Sequence, residues 1–244
     1  MSGHSKWSTI KHKKGKADAK RGKIFTKLIR EITVAAREKG GDPDMNPRLR
    51  TAIDKAKGAN MPNDTIERAI KRGSGEGEET HLEELVYEAY GPSGVAILIE
   101  VMTDNKNRTT PEIKKILSKH NGALGAEGSV AYMFSKKGVF FFNKSVVAED
   151  ALMETALELG ANDVEEDEDG FEVTCDPHDF NGIKEGFDKK GLKYESAEIE
   201  MSPQSSIEVS GDKARTILNL LEALEDHDDV QNVYANCNIR DADK

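Results

Sequence analysis

Asp163-Val164-Glu165-Glu166-Asp167-Glu168-Asp169-Gly170-Phe171-Glu172-Val173-Thr174-Cys175 decides the fold. Alternating apolar residues on each side of an Asp-Gly pair predict a hairpin, with strands at Asp163 to Asp167 and Phe171 to Cys175 and the turn at Asp169-Gly170. Upstream, Glu149 to Leu159 has helical periodicity and Gly138 to Phe142 reads as a strand. Downstream, Asp179 to Lys190 is a predicted helix and Lys193 to Met201 a predicted strand. The order is β-α-β-β-α-β, the ferredoxin-like unit.

Two halves of a second such unit flank the first. Val95 to Met102, a helix from Thr110 to Lys119 and a strand at Ser129 to Phe134 precede it. Ile207 to Val209, the helix Asp212 to Leu224 and the strand Val230 to Ile239 follow it. Residues 135–204 are therefore expected as an insertion in a discontinuous domain of 78–134 and 205–244. A hairpin tip is a favourable place for an insert, because its two ends leave side by side.

The first 77 residues read differently. Ile24, Phe25, Leu28, Ile29, Ile32, Ala35 and Ala36 recur at three- and four-residue steps between Lys16 and Lys39, before Gly40-Gly41 ends the pattern. A second helix starts at Asn46-Pro47 and buries Leu49, Ala52, Ile53 and Ala56. A third is capped at Asn63 or Asp64, turns Ile66, Ala69 and Ile70 inward, and ends at Gly73. Gly73-Ser74-Gly75-Glu76-Gly77 then reads as a flexible linker, not a phosphate cradle, since it follows a helix and opens none. The expected class is α+β in three domains: a helical bundle in 1–77, then two β-α-β-β-α-β domains, one inserted in the other.

Charge separates the bundle from the rest. Residues 1–75 hold 19 Lys+Arg against 8 Asp+Glu, while residues 76–244 hold 16 against 37. A net charge of −10 thus conceals a module at +11 followed by a body at −21. Such asymmetry suits one end to a polyanion. Lys16, Lys20, Lys23, Lys27 and Arg30 step by four and three, forming one helical stripe opposite the apolar face. Ahead of it runs an arm with Lys6, Trp7, Lys11, Lys13 and Lys14. Ammonium groups so spaced can follow a phosphate backbone, and Trp7 can stack on an unpaired base or dock on the bundle. These ten residues are the candidate nucleic-acid contacts.

Other features define what is not expected. The longest nearly apolar run, Gly94 to Met102 with Glu100 inside it, falls far short of the ~20 residues that span a bilayer. Met1 to Lys23 lacks the apolar core of a secretory signal, and a reducing cytoplasm suits the lone Cys175 and Cys237. The six histidines show no paired spacing, and no catalytic, metal or cofactor set is expected. Thr103-Asp104-Asn105-Lys106-Asn107-Arg108-Thr109 serves equally as a presented site or as ordinary cap and turn residues. The phenylalanines of Gly138 to Phe142 fit a sheet core better than an RNA-stacking strand. Glu165 to Asp169 fits an exposed acidic hairpin better than a cation site.

Gly3-His4-Ser5-Lys6-Trp7, Asn60-Met61-Pro62 and Glu67-Arg68-Ala69-Ile70-Lys71-Arg72-Gly73 resemble the YebC family. So do Tyr90-Gly91-Pro92-Ser93-Gly94-Val95-Ala96, the Thr103 to Thr109 loop and Gly128-Ser129-Val130-Ala131-Tyr132. The chain departs from the family pattern at Ser93, where glycine is common, and at Glu127. That family includes bacterial proteins described as probable transcriptional regulators and a mitochondrial translational activator of cytochrome c oxidase. The resemblance implies a three-domain cytoplasmic protein that binds nucleic acid without enzymatic activity. It transfers no site residues. The expected function is a DNA-binding transcriptional regulator, the alternative a translation factor on ribosomal RNA. Neither reading involves a membrane or a small-molecule substrate.

Overall fold

The structure, a computed structural model, describes residues 21–75, 81–166 and 170–239. The arm through Lys20, the end of the glycine-rich linker and the tip of the acidic hairpin lie outside the described residues.

Three helices open the described chain: α1 (Arg21–Lys39), α2 (Pro47–Gly58) and α3 (Asn63–Gly73). Asn46, fully buried, closes two helix ends at once. Its Oδ1 accepts from the Leu49 amide at 3.1 Å, and its Nδ2 donates to the carbonyls of Ala35 at 2.7 Å and Gly40 at 2.9 Å. Ile32, Leu49, Ile53 and Ile66 fill the core, while Ala35, Ala52, Ala56 and Ala69 let the helices approach closely. Gly73 belongs to this packing and not to the linker. A Cβ there would overlap the Thr33 carbonyl and lie 2.7 Å from the Ala36 Cβ, so only glycine lets α3 end against α1.

The next elements form a hairpin, β1 (Glu83–Tyr90) and β2 (Ala96–Thr103), followed by α4 (Lys106–Lys119) and the short β3 (Ala123–Leu124). Asn105 Oδ1 caps α4 by accepting from the Arg108 amide at 3.1 Å, so the helix starts four residues before the expected Thr110. The expected strand Ser129 to Phe134 is not formed. Glu88, 8% exposed, accepts the amides of Gly128 at 2.6 Å and Ala131 at 2.7 Å, and that of Val130 as well. Amides turned toward one carboxylate cannot also serve a ladder. Burial alone would raise the Glu88 pKa, but these three donors outweigh it and hold the carboxyl below its ordinary value.

Phe134 instead begins β4 (Phe134–Asn143). Then come α5 (Glu149–Glu158), β5 (Asp163–Glu166), β6 (Gly170–Cys175), α6 (Phe180–Lys189) and β7 (Ser196–Pro203), in the predicted order. Their sheet runs β5-β6-β4-β7 with antiparallel neighbours. Phe140 and Phe142 point from β4 into its core. Phe140 stacks on Phe180 with centroids 4.8 Å apart, and Phe142 meets Phe187 edge-on at 5.1 Å. The aromatic strand is thus a core strand.

The chain closes with β8 (Ile207–Val209), α7 (Gly211–Glu225), β9 (Val230–Ala235) and β10 (Cys237–Ile239). The expected strand Val230 to Ile239 breaks at Asn236, whose carbonyl accepts from Ile207 at 2.7 Å. Strands β3-β1-β2-β9 form the second four-stranded sheet, and β8 pairs with β10. The class is α+β, as expected. Contacts gather the described residues into one unit of 132–207 with Asn236–Asn238 and another containing 21–131 and 208–235. No described helix is long and apolar enough to cross a membrane.

The turn between β1 and β2 holds Ser93 at φ +62°, a left-handed conformation that disfavours L side chains by about 1–2 kcal/mol. Among the described residues, the other non-glycine positions with positive φ, Asn60 and Asn121, are of the type that tolerates it. Ser93→Gly is expected to stabilise the protein by about 1 kcal/mol net of the added unfolded-state freedom, raising the melting transition by about 2–4 °C. An unchanged or lower transition in calorimetry contradicts this.

Candidate functional site

The expected basic stripe leads to a densely connected polar site. Helix α7 has no basic residue in its last turn, so its terminal carbonyls need donors from elsewhere. Helix α1 supplies them. Lys23 Nζ donates to the Asp226 carbonyl at 2.8 Å, and its ammonium lies 3.7 Å from the Asp226 carboxylate. Lys27 Nζ donates to the Glu225 carbonyl at 2.8 Å. Arg30 Nη1 reaches the carbonyls of Met102, at 3.2 Å, and Asp228. Three cations thus meet the negative end of α7.

At the centre lies Asp229, 2% exposed. Its Oδ1 pairs with Arg30 Nη1 at 2.9 Å. Its Oδ2 accepts from Arg108 Nη2 at 2.9 Å, Thr109 Oγ1 at 2.6 Å and Thr103 Oγ1 at 3.1 Å. Arg108 also holds Asp104 at 2.9 Å. Burial pushes the Asp229 pKa up, yet the donors from Thr109 and Arg108 and the charges of Arg30 and Arg108 bring it to about 2. The Thr103 to Thr109 loop is therefore an internal socket for this carboxylate.

His227 completes the surroundings. Its Nδ1 accepts from the Asp229 amide at 3.2 Å, which leaves Nε2 as the donor to Glu112 Oε2 at 2.9 Å. Glu112, His227 and Asp229 present oxygen and nitrogen atoms within 4.8 Å of one another. A divalent ion there would meet two guanidinium groups already on Asp229, so the donor set suits internal ion pairing better than a metal.

Farther along the same face, Val34 packs with Leu82 and Met102, and Arg37 Nη2 donates to the Leu82 carbonyl at 2.7 Å. Arg48 joins Glu31 at 2.9 Å, Glu38 at 2.9 Å and Glu84 at 3.0 Å. Partial burial would lower its pKa, but hydrogen bonds to Glu31 and Glu84 raise it above the ordinary guanidinium value.

Of the ten nominated residues, Lys6, Trp7, Lys11, Lys13, Lys14, Lys16 and Lys20 lie outside the described residues. Lys23, Lys27 and Arg30 fall together against α7 and β2, with Lys23 still exposed and Lys27 and Arg30 half-buried. Asp229, Arg37 and Arg48 escaped sequence reasoning. The signal for Asp229 was weak: one acid in the run Asp226-His227-Asp228-Asp229, following a helix that lacked a basic end.

Residues 5–76 match the model of the TACO1/YebC protein N-terminal domain, and residues 82–237 match that of the TACO1/YebC second and third domain. A probable transcriptional regulatory protein of Geotalea uraniireducens is 58% identical, over 98% of this chain and 96% of the relative. One from Desulfatibacillum aliphaticivorans is 58% identical over 99% and 98%. The crystal structure of a conserved hypothetical protein from Aquifex aeolicus superposes with a TM-score of 0.88 at 47% identity, covering 97% of this chain and 98% of that one.

Asp229→Asn is expected to destabilise the protein by about 2–3 kcal/mol, because half-buried Arg30 loses its charge partner. Since the folded carboxyl titrates below the unfolded one, its stabilisation is present above about pH 4 and disappears as pH falls toward 2. The shift corresponds to about 2 kcal/mol. Denaturant titrations across this range should show that portion of the acid loss in the parent chain and not in Asp229→Asn. Parallel curves exclude the assignment.

Proposed function

The chain belongs to the TACO1/YebC family, and we propose that it is a non-enzymatic regulator that binds nucleic acid through its basic N-terminal module. One observation carries this: a module at +11 joined to a body at −21. Coulomb attraction of that kind supplies most of the affinity of a sequence-independent polyanion contact. The relatives' description as probable transcriptional regulatory proteins supports the regulatory part. In this reading the arm from Lys6 through Lys20 lies along the phosphates, Trp7 stacks or docks, and the acidic domains stay clear of the polymer. The domain limits that go with it are 1–77, 78–134 with 205–244, and 135–204.

The favoured polymer is promoter DNA. A ribosome-bound role in translation is supported by a different feature: the nominated cations are nearly all lysine. Lysine positions a protein on phosphate, whereas base edges are read chiefly by Arg, Asn and Gln. Catalysis is not part of the proposal, since the polar groups of the Thr103 to Thr109 loop serve Asp229.

Mobility shifts with duplex DNA and co-sedimentation with ribosomes separate the two forms. If six to ten phosphates are contacted, affinity should fall by about 10³ to 10⁵ between 50 and 200 mM salt. Promoter preference selects the first form and ribosome association the second. A flat salt response on both polymers rejects the proposal.

A further inference from the structure

Two sets stand out among the described cations of the helical module, apart from Arg68, which bonds within its own helix, and Lys55, which is also engaged. Lys23, Lys27, Arg30, Arg37 and Arg48 each contact a named carbonyl or carboxylate of the α+β part. Lys39, Arg50, Lys57, Lys71 and Arg72 are exposed, and among the described residues none has a side-chain partner.

The second set is not scattered. Arg50 and Lys57 are seven residues apart on α2, two turns along one flank. Arg48 lies on the opposite flank, where it meets Glu31 and Glu84, so the Arg50 and Lys57 flank faces away from those acids. Lys71 and Arg72 occupy the last turn of α3, and Lys39 closes α1. Gly73 brings these two helix ends together, because its missing Cβ leaves room for Thr33 and Ala36. Lys39, Lys71 and Arg72 thus share one end of the bundle.

We propose that, on the described bundle, the solvent-facing cations on α2 and on the ends of α1 and α3, and not Lys23, Lys27 and Arg30, form the surface that grips a sugar-phosphate backbone. The inference rests on the nucleic-acid reading above and names the contact surface within it. A phosphate can approach the second set without competition, whereas at Lys23, Lys27 and Arg30 it must compete with the carbonyls and carboxylates these groups already hold. Contacts of this kind are sequence-independent and common to DNA and RNA.

The test uses the full chain and two labelled 30-base-pair probes of one sequence, a DNA duplex and an RNA duplex. Arg50→Gln, Lys57→Gln, Lys71→Gln and Arg72→Gln are combined in one variant, and Lys23→Gln and Lys27→Gln in another. Circular dichroism verifies the fold of each. On whichever probe the parent chain binds, the four-site variant should lose about tenfold or more in affinity at 100 mM salt, and its slope of log affinity against log salt should fall by about 3–4. The two-site variant should bind within twofold of the parent while melting at lower temperature. Parent-like affinity and slope in the four-site variant, or loss of slope in the two-site variant instead, overturns the inference and leaves the nucleic-acid reading standing. A parent chain that binds neither probe at any salt overturns both.

Discussion

A carboxylate removed from water must be matched by positive charge and hydrogen bonds or give up its ionisation. Asp229 is matched by four donors from two segments distant in sequence: Arg30 in α1, and Thr103, Arg108 and Thr109 around the start of α4. Withdrawing that carboxylate would leave Arg30 facing only carbonyls. The attachment of the basic helices to the β1-β2 hairpin and to α7 depends on this match, with Val34, Arg37 and Arg48 extending it along the same face.

The charge division of the chain consequently has two physical meanings. Part of the acidic body does not repel a polyanion at all. Asp226 and Asp229 sit beside Lys23 and Arg30, and the carbonyls at the end of α7 take up the remaining donors. A helix end that lacks its own basic residues is complemented by cations about two hundred positions earlier in the chain. What remains uncompensated on the described bundle is a smaller set of cations, and that remainder faces solvent.

Much of the fold was legible because it rests on local rules. Asn46-Pro47 marks a helix start, the aromatic strand Phe140 to Phe142 flanked by helical patterns marks a βαβ unit, and glycine ends the helices. Strand β1 was missed although Leu85, Tyr87 and Ala89 alternate as an apolar face, because on the other face an exposed Val86 and a buried Glu88 blur the pattern. Ser129 to Phe134 was misread because the backbone amides of Gly128, Val130 and Ala131 are taken up by the Glu88 carboxylate, about forty residues upstream. The helical wheel puts Lys23, Lys27 and Arg30 on one face, as the structure does, but it carries no information on what packs there. Periodicity within α1 reports which residues share a face, whereas the arrival of α7 on that face is a long-range event. Asp229 had only a weak local signal, since its partners lie about 120 and 200 positions away.

The most direct test of the account is a double-mutant cycle on Arg30→Met and Asp229→Asn, read by denaturant unfolding at pH 7. A pair of buried Asp229 and half-buried Arg30 that fastens α1 to the remainder of its unit predicts a coupling of about 2 kcal/mol, within the range found for residues in one network. Additive effects of the two substitutions, with no coupling beyond ~0.3 kcal/mol, contradict it.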